Sequence, residues 1–204
     1  MTRQRQISIS MACFVLLVLL TGYVWTGYSS GIDNQLHGFA LRVFPAGSER
    51  LWSDITILGS GLVITSLTVL AVIILGHQKK WDDVKYLVFV MAAAGATEVS
   101  LKWLVNRARP VEVFAHTMPN SFSFPSGHTI YGTTFYFAMA AIGTPWLKGA
   151  PRTAVWFAAS LLALLIGASR IFLGVHYFSD VLGGYLVAVF WLSILSSQSK
   201  SKDL

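Results

Sequence analysis

The sequence predicts an all-α, polytopic membrane protein with six transmembrane helices. Of its 204 residues, 54% are hydrophobic and only 12% are charged, whereas an average soluble domain has about 25% charged residues. The apolar residues fall into long runs, and a membrane helix needs about 20 mainly apolar residues. Because six such helices with short loops use up the chain, residues 1–204 are expected to form a single integral membrane domain.

The predicted spans follow the apolar runs in chain order. The first run has the charged start and apolar middle of a signal peptide, but its length and the missing cleavage motif favour a retained helix. Residues 31–50, which include the stretch DNQLHGFALRVF, are expected to contain a short interfacial helix. The predicted spans are Ile7–Tyr28, Leu51–Gly76, Trp81–Val105, His128–Leu147, Thr153–Ala168 and His176–Ser196.

The distribution of Lys and Arg predicts the orientation in the membrane. Six spans place both termini on one side, and cytoplasmic loops carry an excess of Lys and Arg. The termini and even-numbered loops hold nine of these residues, and the other side holds six, of which Lys102, Arg109 and Arg170 belong to polar clusters at span ends. Both termini are therefore predicted to be cytoplasmic, with the loops near 29–50, 106–127 and 169–176 facing outward.

Several classes of site are disfavoured by the composition. The single cysteine, Cys13, excludes an internal disulfide and any cysteine-based metal cluster. The formal net charge is +6, but the basic residues are scattered, so no nucleic-acid partner is expected. No carboxylate cluster or HExxH motif is visible, so no metal is expected. Nothing in the sequence indicates an oligomeric state.

The first polar cluster lies at the end of the third span, in the stretch EVSLKWLVNRARP. Lys102 and Arg109 are seven residues apart, so a continuous helix would place both cations on nearly the same face, and Pro110 would end that helix. The alternative is that both side chains reach for lipid headgroups. Glu98 precedes Lys102 by one turn, where it either forms an ordinary i,i+4 ion pair or serves a site as an acid inside the membrane.

The second polar cluster, SFSFPSGHT, lies directly before the fourth span. Ser126 is a favourable N-cap residue, and Gly127 allows a ligand to approach the backbone closely. The free N–H groups at such a helix start bind phosphate well, and His128 would lie beside them in the first turn. The alternative is an ordinary helix cap with an uninvolved histidine.

The third polar cluster, SRIFLGVHYFSD, separates the fifth and sixth spans. Arg170 is predicted to end the fifth span, and Gly174 permits a turn. His176 and Asp180 are four residues apart, which predicts that they share one face of the sixth helix. The carboxylate would then accept an Nδ1–H bond and leave Nε2 free to act. The alternative is a local His–Asp pair at a capped helix start.

All three clusters are predicted to meet at the outer membrane face, because successive spans alternate in direction. Lys, Arg and backbone N–H groups suit an anion with several oxygens, such as phosphate. A histidine oriented by a carboxylate suits a nucleophile, and a second histidine suits a general acid. The combined pattern favours phosphoryl transfer, with side-chain cations in place of the usual magnesium.

Three stretches carry a resemblance to a known family: KWLVNRARP, PSGH and SRIFLGVHYFSD. In this order and spacing they resemble the three-part signature of the type 2 phosphatidic acid phosphatase superfamily. The six spans resemble its membrane lipid phosphate phosphatases, and the size is similar to the bacterial phosphatidylglycerophosphatase B-type enzymes of the bacterial cell membrane. The resemblance implies metal-independent, cofactor-free hydrolysis of a lipid's terminal phosphate. Phosphatidylglycerophosphate is the first expected substrate, and undecaprenyl pyrophosphate is the second.

The resemblance also implies a role for each matching residue. His176 would attack phosphorus and form a phosphohistidine, Asp180 would hold and polarise His176, and His128 would protonate the leaving lipid hydroxyl. Ser169 and Glu98 are candidates for supporting roles. The residues expected to hold the phosphate oxygens are Lys102, Arg109, Ser126, Gly127 and Arg170.

Three other functions share parts of this pattern. Vanadate-dependent haloperoxidases have a similar constellation but are soluble, which the apolar spans argue against. A lipid phosphotransferase would form the same phosphohistidine and deliver the phosphoryl group to an acceptor other than water. A non-enzymatic anion or lipid transporter would account for polar residues in the membrane, but not for a His–Asp pair beside a second histidine.

Overall fold

The computed structural model describes residues 3–43, 47–110, 121–145 and 147–194. Over these residues the chain forms eight helices and no strand, as the all-α prediction requires. The helices are α1 (Arg3–Trp25), α2 (Ser30–Val43), α3 (Glu49–Ile57), α4 (Gly61–His77), α5 (Trp81–Val105), α6 (Gly127–Gly143), α7 (Ala150–Phe172) and α8 (Phe178–Ile194). The predicted end of the sixth span, Ser196, lies outside the described residues.

Within the part of the chain that the structure describes, four helical stretches are long and apolar enough to cross a membrane: Arg3–Trp25, Glu49–His77, Trp81–Val105 and Ala150–Phe172. The second of these includes α3 and α4, which are separated by a turn at residues 58–60. The helices α6 and α8 have 17 residues each, which corresponds to about 26 Å at the helical rise of about 1.5 Å per residue. Because this length lies at the lower limit for a membrane helix, six spans stay a prediction.

Helix α6 occupies the centre of the bundle, where it packs against α4, α5, α7 and α8. Its buried residues include Ile130, Phe135 and Ala138, and three threonines are buried beside them. A helix enclosed by other helices does not need an apolar surface all round, which explains why α6 is less hydrophobic than α4. The outer helices expose large apolar side chains such as Leu19 and Phe157, as expected for contact with lipid.

The predicted helical stripe that joins Lys102 to Arg109 is wrong. Helix α5 ends at Val105, and Asn106 adopts a left-handed conformation (φ 49°) while its N–H bonds to the carbonyl of Lys102. Asn tolerates this conformation better than most residues. Arg109 therefore lies beyond the helix, on a loop that can carry its side chain away from the α5 axis.

Two boundaries at the third polar cluster also differ from the prediction. Helix α7 continues past Arg170 to Phe172, so this arginine lies inside the last turn instead of ending the helix. Helix α8 begins at Phe178, so His176 precedes it, and the prediction that His176 and Asp180 share a helical face is wrong. The fourth predicted span likewise ends earlier, at Gly143. The segment predicted to contain a short interfacial helix forms α2, and its location at the interface stays a prediction.

Candidate active site

The loop before α6 is seated directly on α8 because two consecutive glycines leave room for it. A Cβ atom on Gly183 would come within 2.7 Å of the Phe124 ring, and one on Gly184 within 2.9 Å of Thr129. The backbone N–H of Ser126 donates to the carbonyl of Asp180 at 3.0 Å. This close approach brings the second and third polar clusters together at one end of the bundle.

The His176–Asp180 pair forms at the junction between α7 and α8. Gly174 adopts a positive φ of 70° in the turn, and the N–H of His176 donates to the carbonyl of Arg170 at 3.2 Å. Asp180 lies in the first turn of α8, where its Oδ2 accepts the Tyr177 N–H at 2.9 Å. The same oxygen lies 3.3 Å from Nδ1 of His176. The pairing is therefore retained although His176 lies outside the helix.

Arg109 determines the tautomer of His176. A guanidinium N–H of Arg109 lies 3.1 Å from Nε2 of His176, and because arginine can only donate, Nε2 must be the acceptor. Nδ1 then carries the proton and donates to Asp180. Burial lowers the pKa of His176 to about 3, although the hydrogen bond to Asp180 and its charge oppose this change. The imidazole is thus neutral near pH 7, with its Nε2 lone pair directed at a cation.

The three predicted phosphate-binding cations reach the site from different elements. Arg109 is held by the carbonyls of Val175 at 2.7 Å and Ser121 at 2.8 Å. Lys102 donates to the Phe122 carbonyl at 2.7 Å. These carbonyls are neutral and orient the two side chains; the charge of Arg109 is left unbalanced by them, whereas Lys102 also pairs with the Glu98 carboxylate at 3.6 Å.

Arg170 is the most deeply buried of these cations, at 5% exposure. One of its terminal nitrogens donates to the Thr56 hydroxyl of α3 at 2.6 Å. Its Nε is buried and makes no hydrogen bond to any residue that the structure describes. An unpaired buried donor costs about 1–3 kcal/mol, so this nitrogen is suited to bind a ligand oxygen.

His128 lies in the first turn of α6 and is half-buried. Ser126 occupies the N-cap position, but its side chain does not cap the helix; instead it accepts a hydrogen bond from the Thr129 hydroxyl at 3.0 Å. Ser126 is therefore the N-cap residue, as predicted, but its side chain does not satisfy the first N–H groups of α6. The charged or ionisable groups close enough to interact electrostatically with His128 are Arg170, His176, Arg109 and Lys102.

Glu98 connects the first two polar clusters. Its carboxylate accepts a hydrogen bond from the Tyr131 hydroxyl, lies 3.6 Å from the Lys102 ammonium and touches the Cα side of Gly127. The predicted i,i+4 ion pair is therefore present, and it is buried next to the start of α6. Ser169, in contrast, donates its hydroxyl to the Ile166 carbonyl at 2.6 Å and is fully buried in α7.

Several residues that the sequence reasoning missed contact the predicted set, either directly or, as for Asp33, through Arg107. Ser123 donates to Oδ2 of Asp180 at 2.5 Å, and Thr56 holds Arg170. Arg107 and Asp33 form ion pairs behind Asp180. Ser123 lies inside the second polar cluster and Arg107 inside the first, whereas Thr56 and Asp33 carry no local signal. Within the described ranges, no three His, Cys, Asp or Glu side chains form a group that could hold a metal.

Comparison with protein families decides the relationship that the motifs suggest. The sequence profile of the PAP2 superfamily matches residues 83–203, which contain all three polar clusters. The chain belongs to the PAP2 superfamily. Its eight-helix arrangement is therefore a membrane version of the fold of this superfamily, as the resemblance implied.

Individual relatives place the chain near membrane lipid phosphatases of the PAP2 superfamily. It is 26% identical to phosphatidylglycerophosphatase B of Bacillus subtilis (strain 168), over 86% of this chain and 87% of the relative. It is also 26% identical to an undecaprenyl-diphosphatase of Sulfolobus acidocaldarius, over 81% and 71% of the two chains. The crystal structure of a transmembrane PAP2-type phosphatidylglycerolphosphate phosphatase from Bacillus subtilis superposes with a TM-score of 0.81 at 25% identity, covering 95% of this chain and 98% of that one.

Proposed function

We propose that this protein is a lipid phosphate phosphatase that transfers the terminal phosphoryl group of a membrane lipid to His176 and then to water. The observation that carries this proposal is the buried, neutral His176, whose Nδ1 faces Asp180 at 3.3 Å while its Nε2 faces Arg109 at 3.1 Å. Membership of the PAP2 superfamily and the lipid phosphatases among the relatives support the same function.

The phosphate would bind among Lys102, Arg109, Arg170 and the first N–H groups of α6, at Gly127 and His128, because the Ser126 N–H already donates to the Asp180 carbonyl. Arg170 supports this placement most directly, because its buried Nε has no partner in the described part of the chain. Three cations and a helix N-terminus provide the positive field that a phosphoryl group needs while charge moves to its oxygens. Glu98 would keep the Lys102 ammonium in place through the 3.6 Å ion pair.

The reaction would proceed in two displacements at phosphorus. In the first, Arg109 turns its N–H from Nε2 of His176 to a phosphate oxygen, and the freed Nε2 lone pair forms the N–P bond while the bond from phosphorus to the leaving oxygen breaks. Protonated His128 donates its proton to that leaving oxygen. In the second, His128 takes a proton from water, the resulting hydroxide attacks phosphorus, and the N–P bond breaks. Inorganic phosphate leaves, His176 becomes neutral again, and Asp180 stabilises the positive charge that the imidazole ring carries while phosphorus is bonded to Nε2.

The substrate class follows from the position of the site in an apolar bundle. A lipid can keep its chains in the bilayer while its phosphate reaches the polar end of α5–α8. We propose phosphatidylglycerophosphate as the first substrate and undecaprenyl pyrophosphate as the second, since relatives named for both lipids cover most of this chain. The single domain would lie in a bacterial cell membrane, with both termini cytoplasmic and the site on the outer face.

Phosphate release by the purified protein tests the chemistry. In detergent with defined lipids, the wild type should release inorganic phosphate from at least one of four substrates: phosphatidylglycerophosphate, phosphatidic acid, diacylglycerol pyrophosphate and undecaprenyl pyrophosphate. His176→Ala should reduce turnover by at least about 10³-fold, because the nucleophile is removed. His77→Ala is the matched control, since His77 is exposed at the end of α4, and it should keep full activity.

The products of the same assay separate the remaining alternatives. A phosphotransferase would yield a phosphorylated acceptor lipid in place of inorganic phosphate. A transporter would leave every lipid phosphate intact. Near-normal turnover by His176→Ala would contradict the phosphohistidine mechanism even if the wild type proved to be a phosphatase.

Cysteine labelling tests the orientation. In a Cys13→Ser background, Thr26→Cys and Gln78→Cys place single thiols at exposed positions after α1 and α4, respectively. A membrane-impermeant maleimide applied to intact cells should label the first variant and not the second. The reverse pattern would place the site on the cytoplasmic face.

A further inference from the structure

Behind the His176–Asp180 pair, the Arg107 side chain bridges two buried carboxylates. One terminal nitrogen of Arg107 donates to Oδ1 of Asp180 at 2.6 Å and to the Ser179 hydroxyl at 2.7 Å. The other donates to Oδ2 of Asp33 at 2.6 Å. The guanidinium also lies 4.1 Å above the Tyr177 ring, so its position is determined by partners on several sides.

The contacts of Asp180 divide between its two oxygens. Oδ2 receives the Ser123 hydroxyl, the Tyr177 N–H and Nδ1 of His176, whereas Oδ1 receives Arg107. The Asp180 side chain is fully buried, and a buried charge without a partner is costly. Arg107 therefore makes it possible for Asp180 to stay ionised and to keep Oδ2 turned toward the histidine.

Asp33 holds this arrangement from α2. Its Oδ2 accepts the Ser179 hydroxyl at 2.6 Å in addition to Arg107, and its Oδ1 accepts the Ser179 N–H at 3.1 Å. The side chain of Asp33 is only 3% exposed. The Asp33 carboxylate thereby joins α2 to the start of α8, and through Arg107 it reaches the Oδ1 side of Asp180.

The electrostatics agree with a bridging role. Burial acts to lower the pKa of Arg107, but the charges of Asp180 and Asp33 and their hydrogen bonds raise it above its ordinary value. Arg107 is thus always charged, and its charge is neutralised by two carboxylates. It differs in this from Arg109, whose hydrogen bonds end on carbonyl, hydroxyl and imidazole groups.

We propose that Arg107 is a positioning residue of this site, which holds the Asp180 carboxylate toward His176 and is itself held by Asp33. The inference rests on the proposed phosphatase function and extends it to α2. Arg107 does not touch the substrate; it acts on the rate by keeping Asp180 and the tautomer of His176 in place.

Steady-state kinetics of Arg107→Gln, Arg107→Lys and Asp33→Asn test this role. For Arg107→Gln we expect kcat to fall on the order of 10²-fold, the effect of a displaced catalytic group, with KM unchanged within about twofold because the phosphate-binding cations remain. Arg107→Lys should restore only part of the loss, since one ammonium group cannot bridge two carboxylates. Arg42→Gln is the control, because Arg42 is exposed on α2 and donates to the Gly38 carbonyl of its own helix.

The Asp33→Asn variant tests whether Arg107 and Asp33 act as a unit. Its kcat should fall on the order of 10-fold, and the Arg107→Gln/Asp33→Asn double variant should lose no more activity than Arg107→Gln alone. Should Arg107→Gln fail to fold, Asp33→Asn and Arg107→Lys decide the question by the same split between kcat and KM.

Activity is expressed per folded molecule, from the melting temperature and from titration with orthovanadate as a phosphate analogue. A residue that serves the fold alone would lower the folded amount and leave kcat per folded molecule unchanged, and this result would overturn the proposal. A large rise in KM with weaker vanadate inhibition would also overturn it, since Arg107 would then bind phosphate. If the wild type releases no phosphate, or if His176→Ala remains active, the proposed function fails and this inference fails with it.

Discussion

Arg107 and Arg109 are two residues apart in the chain, yet they serve opposite sides of the His176–Asp180 pair. On the front side, Arg109 contacts Nε2 of His176 and is oriented by neutral carbonyls. On the back side, Arg107 is paired with the carboxylates of Asp180 and Asp33. An arginine that keeps its unbalanced charge is suited to bind an anionic ligand, whereas one balanced by two carboxylates is suited to hold protein groups in place.

The largest loss of activity is expected for Asp180, which contacts His176 through one oxygen and Arg107 through the other. Asp180→Asn should lower kcat by about 10³–10⁴-fold, because an amide no longer stabilises the charged imidazole or fixes its tautomer. Phosphate release under saturating lipid measures the change, with exposed Asp54→Asn as control. A loss of less than about 10-fold would mean that Asp180 does not link the front and back sides of the site in the reaction.

Arg170 belongs with Lys102 and Arg109 to the proposed phosphate-binding cations on the front side. Arg170→Gln should reduce kcat/KM by about 10²–10³-fold, the range found when an enzyme loses one donor to the charge that develops in the transition state. Inhibition by orthovanadate should weaken in parallel, because the same donor binds the phosphate analogue. Arg152→Gln, at the exposed start of α7, controls for the lost charge. Unchanged vanadate inhibition would show that the front side does not hold the phosphate where we place it.

A smaller effect is expected for Thr56→Val, which removes the hydroxyl that accepts from Arg170 at 2.6 Å. A hydrogen bond to a charged group is worth about 1.5–3 kcal/mol. Because a phosphate oxygen of the bound substrate can replace the lost hydroxyl as acceptor, part of this free energy is recovered, and kcat/KM should fall by about 10-fold or less. Thr153→Val, exposed at the start of α7, should have no effect. A loss as large as that of Arg170→Gln would indicate that Thr56 itself contacts the substrate.

The smallest effect is expected from removal of divalent cations. If the front-side cations supply the positive charge that magnesium supplies elsewhere, EDTA should change phosphate release by less than about twofold. The measurement uses a substrate that does not itself require a metal for dispersion. Strong inhibition that magnesium reverses would contradict the metal-independent prediction.

The sequence was sufficient for the helical class, for the family and for the meeting of three polar clusters, because motif residues and apolar runs are local signals. It was misleading where one residue changes the local geometry: Asn106 ends α5 before Arg109, and α8 begins after His176. It contained no signal for the bond from Arg170 to Thr56, which spans 114 residues, or from Ser179 to Asp33, which spans 146. Hydrophobic periodicity identifies the buried face of a helix, but it does not identify the neighbour that will cover that face.

Thr56 in the last turn of α3 and Asp33 in the first turn of α2 have a consequence for how such proteins diverge. The matched stretch 83–203 contains the residues that we propose as reacting groups, whereas Thr56 and Asp33, which hold two of its arginines, precede it. Two homologues with identical signatures can therefore differ in turnover through substitutions that a signature comparison never inspects. Natural variation and laboratory selection can both adjust the rate from these early helices and leave the phosphate chemistry intact.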